Sequence, residues 1–441
     1  MPNTSSQTST QPCVGIIGMG DMGRMYARRL SDTGYTIYAC DREERFTELL
    51  EEYKNAPLIN ILKNGHYVSR LSDYIIYSVE AENIDKIVAT YGPSTKLGAI
   101  VGGQTSCKAP EIAAFEAHLP ADVEIVSCHS LHGPNVDTRG QPLVLIQHRA
   151  SDKSLALVKS ILSCFNSQFV YLTAAQHDKI TADTQAATHA AFMSMGVAWH
   201  ANNQFPWEVP RYVGGIENVK INISLRIYSN KWHVYAGLAI MNPAAHNQIL
   251  QYAKSVTELF TLMIEHKEDD FRKRINSARD YVFGGLPESH ELLLSDDLLD
   301  KFSLSNVPAE ARTPNSHLSL LAMVDCWWKL GIVPYDHMIC STPLFRIWLG
   351  VTEYLFQTPT LLEECINVAL ENDTFRADDL EFTMAARSWS EIITFNNFDL
   401  YQKRFEMTQR YFSPRFADAT KLGNEMIKTI FEKTKQQKNT V

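Results

Sequence analysis

Short apolar runs alternate with segments of helical periodicity from Cys13 to about Thr173. This alternation is typical of a parallel sheet with helices on its faces. The sixth apolar run follows a Gly140-Gln-Pro142 turn, so we expect it to pair antiparallel within a mixed sheet. The predicted strands are Val14–Ile17, Thr36–Cys40, Tyr74–Val79, Ala99–Gly102, Val123–Cys128, Leu143–Gln147 and Phe169–Leu172, and the predicted helices are Met22–Ser31, Arg42–Asn55, Ala81–Tyr91, Ala109–His118 and Asp152–Asn166.

Beyond Thr173 the pattern becomes helical throughout. An alanine-rich segment from Gln176 to about His200 predicts one long helix with a thin surface for close packing. Residues 284–315 are rich in Gly, Pro, Ser and acids, so we expect an exposed insertion there. Further helical blocks are predicted near 217–240, 244–283, 316–331, 343–371, 376–394 and 398–412.

These patterns predict a disordered lead-in at residues 1–12, an α/β domain at 13–174, an all-α domain at 175–430 and a tail at 431–441.

The first apolar run enters a glycine-rich loop, Gly18-Met19-Gly20-Asp21-Met22-Gly23, and a helix leaves it. In a Rossmann-type fold the first glycine allows the tight turn, the second admits a pyrophosphate and the third lets the helix pack closely. The second strand ends in Asp41, at the position where an acid meets the adenosine ribose. A carboxylate there favours NAD, because it would bond the ribose hydroxyls and repel a 2′-phosphate. Arg42 follows directly and Arg45 lies one helical turn on, and either can pair with the 2′-phosphate of NADP. The residues alone leave this choice open.

Polar side chains follow two neighbouring strands at the edge where such folds bind ligands. Ser106 follows one strand, while His129 and His132 follow the next. Imidazole has an unperturbed pKa of about 6.5, which suits a base that removes a hydroxyl proton while hydride leaves for a nicotinamide. His129 could instead bond a backbone carbonyl, His132 could be structural, and Ser106 could cap the helix that follows it.

Composition narrows the class of protein. The 441 residues carry a formal charge of −9, which argues against nucleic-acid binding. Eight cysteines without a C-x-x-C pair indicate neither a zinc site nor a disulfide framework, so we expect no metal and a reducing compartment. No apolar run is long enough to cross a membrane and no secretory signal is evident. We therefore expect a cytoplasmic enzyme.

The chain resembles the prephenate dehydrogenase family of the fungal, NADP-using type over nearly its whole length. The stretches that carry the resemblance are Gly15-Ile-Ile-Gly-Met-Gly-Asp-Met-Gly23, Ser72-Asp-Tyr-Ile-Ile-Tyr-Ser-Val-Glu80, Gly102-Gly-Gln-Thr-Ser-Cys-Lys108, His129-Ser-Leu-His-Gly-Pro134, His177-Asp-Lys-Ile-Thr-Ala-Asp-Thr-Gln-Ala-Ala-Thr-His189 and Asn222-Ile-Ser-Leu-Arg-Ile-Tyr-Ser-Asn-Lys-Trp-His-Val-Tyr235.

The resemblance implies a function. The family oxidatively decarboxylates prephenate to 4-hydroxyphenylpyruvate on the route to tyrosine, with NADP as cofactor in this branch. The resemblance also implies a 6-phosphogluconate-dehydrogenase-like helical dimerisation domain and hence a homodimer. The alternatives are an arogenate dehydrogenase, a related dehydrogenase of a small hydroxy acid, and a regulatory protein that binds NADP without catalysis.

The resemblance also assigns roles to residues. The catalytic histidine of the family maps onto His129, although the proline of its H-P-x-x-G loop is Ser130 here. The serine that bonds this histidine and the substrate hydroxyl maps onto Ser106, and an acid that the family often has three positions earlier is Gly103. His189 is implied as a substrate contact.

The family grips the ring carboxylate with an arginine of the helical domain. Arg346 and Arg226 compete for that role.

Overall fold

The computed structural model describes residues 11–287, 292, 294, 299–305 and 307–438. Most of the predicted lead-in, the last three residues of the predicted tail and parts of the predicted insertion lie outside this range. The chain divides into two compact units between Asp178 and Lys179, slightly later than the predicted boundary at 174. No helix of the described residues has the length and apolar character needed to cross a membrane.

The first unit contains one eight-stranded sheet in the order β3-β2-β1-β4-β5-β6-β7-β8. The β6–β7 pair is antiparallel and the other neighbouring pairs are parallel. The predicted mixed sheet is therefore confirmed, with its antiparallel pairing at the predicted sixth run. The strands are β1 (Val14–Ile17), β2 (Ile37–Cys40), β3 (Ile59–Ile61), β4 (Tyr74–Tyr77), β5 (Ile100–Gly103), β6 (Glu124–Ser130), β7 (Pro142–Arg149) and β8 (Gln168–Tyr171).

Helices cover both faces of this sheet, and the two faces bury separate apolar clusters. The sequence predictions missed β3 and α3, a short strand and a short helix between the second and fourth strands. The helices of this unit are α1 (Asp21–Asp32), α2 (Phe46–Tyr53), α3 (Gly65–Leu71), α4 (Ile84–Tyr91), α5 (Lys108–His118) and α6 (Asp152–Leu162).

The long helix predicted over 176–200 consists of α7 (Ala174–Thr181), a π-helical turn (Ala182–Ala186) and α8 (Ala187–Ala201). The second unit is helical in its described residues and buries one extended apolar cluster around α8. Its remaining helices are α9 (Gly215–Ser229), α10 (His233–Met241), α11 (Pro243–Ile264), α12 (Glu268–Phe283), α13 (Leu318–Leu330), α14 (Pro343–Gln357), α15 (Pro359–Glu371), α16 (Arg376–Thr394), α17 (Phe398–Phe412) and α18 (Phe416–Lys438).

A capping side chain and two prolines set the boundaries of several helices in this unit, and one of them divides the predicted block 343–371 into α14 and α15. Asn242 accepts a hydrogen bond from the N–H of Ala244, so that α11 begins at Pro243. A proline at the first helical position costs no hydrogen bond, since that N–H has no intrahelical partner. Pro359 likewise opens α15 directly after α14.

Two predictions for the second unit differ from the structure. The sequence predicts an exposed insertion at 284–315, yet Leu294, Leu299, Phe302 and Leu304 are buried in the apolar cluster of the unit. It also predicts a separate tail from residue 431, whereas α18 continues to Lys438. Four apolar side chains are enough to draw a polar segment onto the core because each gains about 1.5–3 kcal/mol on burial.

Candidate active site

The glycine-rich loop joins β1 to α1 and has the geometry that a dinucleotide requires. Gly18 has φ +105°, and a Cβ there would overlap the carbonyl oxygen of Ser78. A Cβ at Gly23 would overlap the carbonyl oxygen of Gly18, so this glycine allows the close approach of α1. A Cβ at Gly20 would meet no protein atom within 4 Å. The space beside Gly20 is therefore open to a ligand.

The start of α1 suits a phosphate. Gly20 is the N-cap and supplies no side chain to the first N–H groups of the helix. Met19 is fully buried and Met22 packs against the same apolar cluster, so these two side chains anchor the loop. Asp21 is exposed in the first turn.

The carboxylate of Asp41 is engaged within the protein. It accepts hydrogen bonds from the Met19 N–H at 3.0 Å, the Arg42 N–H at 2.8 Å and Nη1 of Arg45 at 2.8 Å. The side chain of Arg42 is exposed beside it. An acid that is already paired with Arg45 repels a phosphate less than a free one does, and the exposed Arg42 would be the residue that holds the 2′-phosphate. These residues fit NADP.

His129 lies near the end of β6 and is the first member of a hydrogen-bonded chain. Its Nδ1 is 2.7 Å from Nε2 of His177, and Nδ1 of His177 is 2.8 Å from Oδ1 of Asp178. His177 is 1% exposed, whereas His129 is half-buried. Burial, aided by the neighbouring His177 and Lys108, holds the pKa of His129 well below 6.5. The imidazole is therefore neutral at physiological pH and available as a base.

A buried ion pair lies between the ends of β5 and β6. Lys108 and Glu111 are both fully buried, and their charged atoms are 2.9 Å apart. Nζ of Lys108 also donates to the carbonyl oxygens of Gly103 at 3.2 Å and Cys128 at 2.9 Å and to Oγ of Ser127 at 3.0 Å. The ammonium group thus ties β5, whose following loop carries Ser106, to β6, which carries His129 near its end.

Ser106 does not cap the following helix. The N-cap of α5 is Cys107, which makes no side-chain capping bond. The carboxylate of Asp178 takes that place, accepting from the N–H groups of Lys108 and Ala109 at 2.7 Å each. The half-buried hydroxyl of Ser106 is therefore available to a ligand.

The substitution of Ser130 for the family's proline adds a different restraint. The Ser130 hydroxyl is 2.7 Å from the Tyr26 hydroxyl of α1, and both residues are buried. Nδ1 of His132 lies 3.0 Å from the carbonyl oxygen of Gly133, while its buried Nε2 has no partner among the described residues. His132, in the same loop, thus remains a prediction both as a substrate contact and as a rival of His129 for the role of base.

In the helical unit, His189 and Arg226 lie around one tyrosine. The ring centroids of His189 and Tyr235 are 4.9 Å apart in an edge-to-face arrangement. Burial lowers the pKa of His189 to about 4. Burial also lowers the pKa of Arg226, and the nearby Tyr235 offsets part of that decrease. Nη1 of Arg226 donates a hydrogen bond to Oδ1 of Asn424 at 2.5 Å. The amide of Asn424 does not neutralise the buried guanidinium, so the positive charge of Arg226 can pair with a carboxylate of a ligand.

Arg346 lies in the first turns of α14, whereas Arg226 lies at the end of α9. The Nε of Arg346 donates to Oγ of Ser341 at 2.8 Å and its Nη2 to the carbonyl oxygen of Met338 at 3.0 Å. Burial lowers its pKa as well. The contacts of the two arginines do not distinguish them, so the choice between them stays a prediction.

Comparison with known proteins agrees with this architecture. Residues 186–432 match a family described as a 6-phosphogluconate dehydrogenase C-terminal domain. Residues 13–101 match the family described as NADP oxidoreductase, coenzyme F420-dependent.

Two curated fungal proteins match almost the entire chain. A probable prephenate dehydrogenase (NADP+) of Schizosaccharomyces pombe is 59% identical over 421 residues, which are 95% of this chain and 97% of that protein. The chain belongs to the prephenate dehydrogenase family. A second family member, the prephenate dehydrogenase (NADP+) of Saccharomyces cerevisiae, is 59% identical over 425 residues, 95% of this chain and 93% of that protein.

A solved structure of an Aquifex aeolicus prephenate dehydrogenase, in complex with hydroxyphenyl propionate and NAD+, shares 19% identity. The match covers 61% of this chain and 96% of that one, with a TM-score of 0.48.

Sequence reasoning assigned no role to His177, Asp178, Lys108 or Glu111. His177 and Asp178 open a stretch that resembles the prephenate dehydrogenase family, so the signal was present as an adjacent His-Asp pair. His177 contacts His129 from 48 positions away, and Asp178 contacts the start of α5 from 70 positions away. A local sequence pattern cannot predict contacts at such separations.

Proposed function

We propose that this protein catalyses the NADP-dependent oxidative decarboxylation of prephenate to 4-hydroxyphenylpyruvate. The observation that carries the proposal is the neutral, half-buried imidazole of His129 at the carboxyl edge of the sheet that bears the dinucleotide loop. A base at that position can remove the proton of the hydroxyl group on ring carbon C4 while hydride leaves C4 itself. Bound NADP would supply the acceptor for that hydride.

His129 accepts the hydroxyl proton at Nε2, since Nδ1 is engaged with His177. Ser106 orients the substrate hydroxyl with its available Oγ. Loss of the C1 carboxylate as carbon dioxide then sends its electron pair into the ring, and the oxygen on C4 takes a proton from the His129 imidazolium. The base is regenerated, so a single imidazole completes the cycle without net proton uptake.

The remaining side chains serve recognition in this proposal. Either Arg226 or Arg346 holds a carboxylate through two parallel charge-assisted hydrogen bonds. His189 contacts the substrate as a neutral imidazole, because its pKa of about 4 leaves it uncharged at physiological pH. His132 is a further candidate contact, through its unpartnered Nε2.

The test is turnover followed at the reduced-nicotinamide absorbance band, with prephenate or arogenate and with NADP or NAD. Prephenate with NADP should give the highest kcat/KM. Higher kcat/KM with arogenate would make the protein an arogenate dehydrogenase. No turnover with either substrate would favour a regulatory protein that binds NADP and would refute the enzymatic proposal.

The matched variants are His129→Asn and His148→Asn. His148 lies on the surface of the same unit, 2.9 Å from Glu116, and serves as control. The first variant should lose turnover by about 100-fold or more while keeping NADP binding, since general-base catalysis contributes about 10²–10⁴-fold. Unchanged turnover would move the role of base to another residue, with His132 tested next.

We also propose a homodimer formed through the helical unit. Large apolar side chains project from one face of α16 and the residue after it: Leu380, Met384 and Phe395 are 46%, 58% and 78% exposed. Apolar side chains that share one helix face are candidates to meet a second copy of the chain. Light scattering should give twice the chain mass, and Met384→Glu should reduce it to the monomer mass. A cytoplasmic location is part of the proposal, in line with the eight free cysteines.

A further inference from the structure

Three side chains form a continuous chain of hydrogen bonds that leads from the exposed side of His129 into the protein. The links are 2.7 Å from His129 to His177 and 2.8 Å from His177 to Asp178. His177 is 1% and Asp178 5% exposed, so both links are shielded from solvent. Because so little of either side chain is exposed, both would act on a substrate through His129.

The direction of each hydrogen bond follows from Asp178. Its carboxylate accepts from the backbone N–H groups of Lys108 and Ala109 and from the Cys107 thiol, and an ionised carboxylate can only accept. Burial raises the pKa of Asp178, but the hydrogen bonds from His177 and Lys108 outweigh burial and lower it overall.

His177 must therefore donate from Nδ1 to Asp178, which leaves its Nε2 as an acceptor. His129 must then donate from Nδ1, and its Nε2 carries the free lone pair.

We propose that His177 and Asp178 are positioning residues that hold His129 as the Nδ1–H tautomer and take up the positive charge that it gains in the reaction. This inference rests on the proposed function for its catalytic part. When the substrate hydroxyl proton binds Nε2 of His129, the proton on Nδ1 can shift to Nε2 of His177, next to the Asp178 carboxylate. No electrons are transferred, and the proton shifts back when the product oxygen is protonated.

Other charges face the same chain and set its electrostatic balance. Lys108 disfavours a charged His129, Glu111 opposes Lys108 from 2.9 Å, and His132 adds a weaker repulsion when charged. Burial lowers the pKa of His177 and Lys108 lowers it further, whereas Asp178, through its hydrogen bond and its charge, and Glu111 oppose them. Asp178 is thus the anion bonded directly to the imidazole pair. Removing its charge must lower the pKa of His129 further, because the imidazolium loses a favourable partner.

The first experiment needs no turnover. Nuclear magnetic resonance of protein labelled with ¹⁵N in its histidine rings reports which nitrogen carries the proton, with His129→Asn to assign the signal. Wild-type protein should show the Nδ1–H tautomer of His129 alone. His177→Leu should give a mixture of tautomers, whereas His177→Gln should retain the wild-type form, since its amide oxygen can accept from Nδ1. A wild-type signal in His177→Leu would overturn the positioning role.

The second experiment measures kcat and kcat/KM against pH. His177→Gln keeps the geometry but cannot carry a proton, so kcat should fall about 10-fold, and in His177→Leu about 100-fold. In Asp178→Asn the acid limb of kcat/KM should move to lower pH. An unmoved limb, or a limb that moves to higher pH, would overturn the charge-stabilising role.

Asp85→Asn is the matched control, because Asp85 pairs with His118 at the surface at 2.9 Å and should change none of these quantities. Retained NADPH binding shows that each variant is folded. If wild-type protein turns over neither substrate, the proposed function fails, and the tautomer measurement still decides the positioning role.

Discussion

Replacing Glu111 by Gln should destabilise the first unit far more than the loss of one ordinary hydrogen bond. Oε1 of Glu111 accepts from Nζ of Lys108 at 2.9 Å and from the Ser127 hydroxyl. Oε2 accepts from the N–H of Thr105 at 3.0 Å and its hydroxyl at 2.6 Å. Glutamine has one acceptor oxygen, so its NH₂ group must face either the ammonium or the Thr105 N–H in either orientation.

The magnitude follows from the burial of the pair. Both side chains are 0% exposed, so the ammonium of Lys108 would stay buried without a counter-charge. Breaking such a pair by removing one partner costs about 3–5 kcal/mol. For a unit of this size each 1 kcal/mol lowers Tm by about 2–4 °C, so a decrease of roughly 6–20 °C is expected.

Differential scanning calorimetry measures this decrease. The control is Glu51→Gln, which removes the partner of Lys54 in a surface pair whose side chains are 73% and 56% exposed. That variant should change stability by less than about 0.5 kcal/mol. A Glu111→Gln variant whose Tm falls no further than that of the control would refute the reasoning. Lys108→Met combined with Glu111→Leu should cost less than the two single changes added together, because no charge is left buried.

Three further predictions concern ligand binding. Gly20→Ala and the control Gly285→Ala should both keep the Tm of the unliganded protein. Only Gly20→Ala should weaken NADP binding, by about 10-fold, because its Cβ enters the space for the ligand. Titration of both variants with NADPH tests this. Arg42→Ala should reduce the preference for NADP over NAD in kcat/KM by about 10-fold, the worth of one charge-assisted hydrogen bond, and an unchanged ratio would contradict the assignment. Arg226→Lys and Arg346→Lys distinguish the two candidate arginines. The variant of the arginine that binds the substrate carboxylate should have a KM for prephenate about 10-fold higher and an unchanged KM for NADP. If neither variant does, both assignments are wrong.

The sequence predicted the sheet well because strands and helices differ in period and each element carries its own pattern. The strand β3 escaped detection because Ile59-Asn60-Ile61 is too short to show a period of two. The buried leucines of the 284–315 segment escaped for another reason. Average composition described the segment as polar and so concealed single side chains such as Leu294 and Leu299, which are 1% and 0% exposed.

The same distinction applies to the candidate site. The placement of Ser106 and His129 could be predicted, because Ser106 follows β5 and His129 lies near the end of β6, at the same edge of the sheet. The partners of His129 could not, because hydrogen bonds to His177 depend on how distant segments meet. The cap of α5 is a similar case. Ser106 is the nearest residue of a suitable type, yet tertiary structure places a stronger acceptor there, the carboxylate of Asp178.

Gly103 shows how such a distant residue can take over a local role. The resemblance to the family leads one to expect an acid often found at this position, three residues before Ser106. A Cβ at Gly103 would overlap the Glu111 carboxylate, so a side chain there would displace that carboxylate from its present position. The carboxylate of Glu111 instead reaches the same point from α5, one position after a proline within that helix's first turn. A negative charge is thus present near the ends of β5 and β6 although residue 103 carries none, because Glu111 supplies it from α5. The glycine leaves the space that the Glu111 carboxylate occupies.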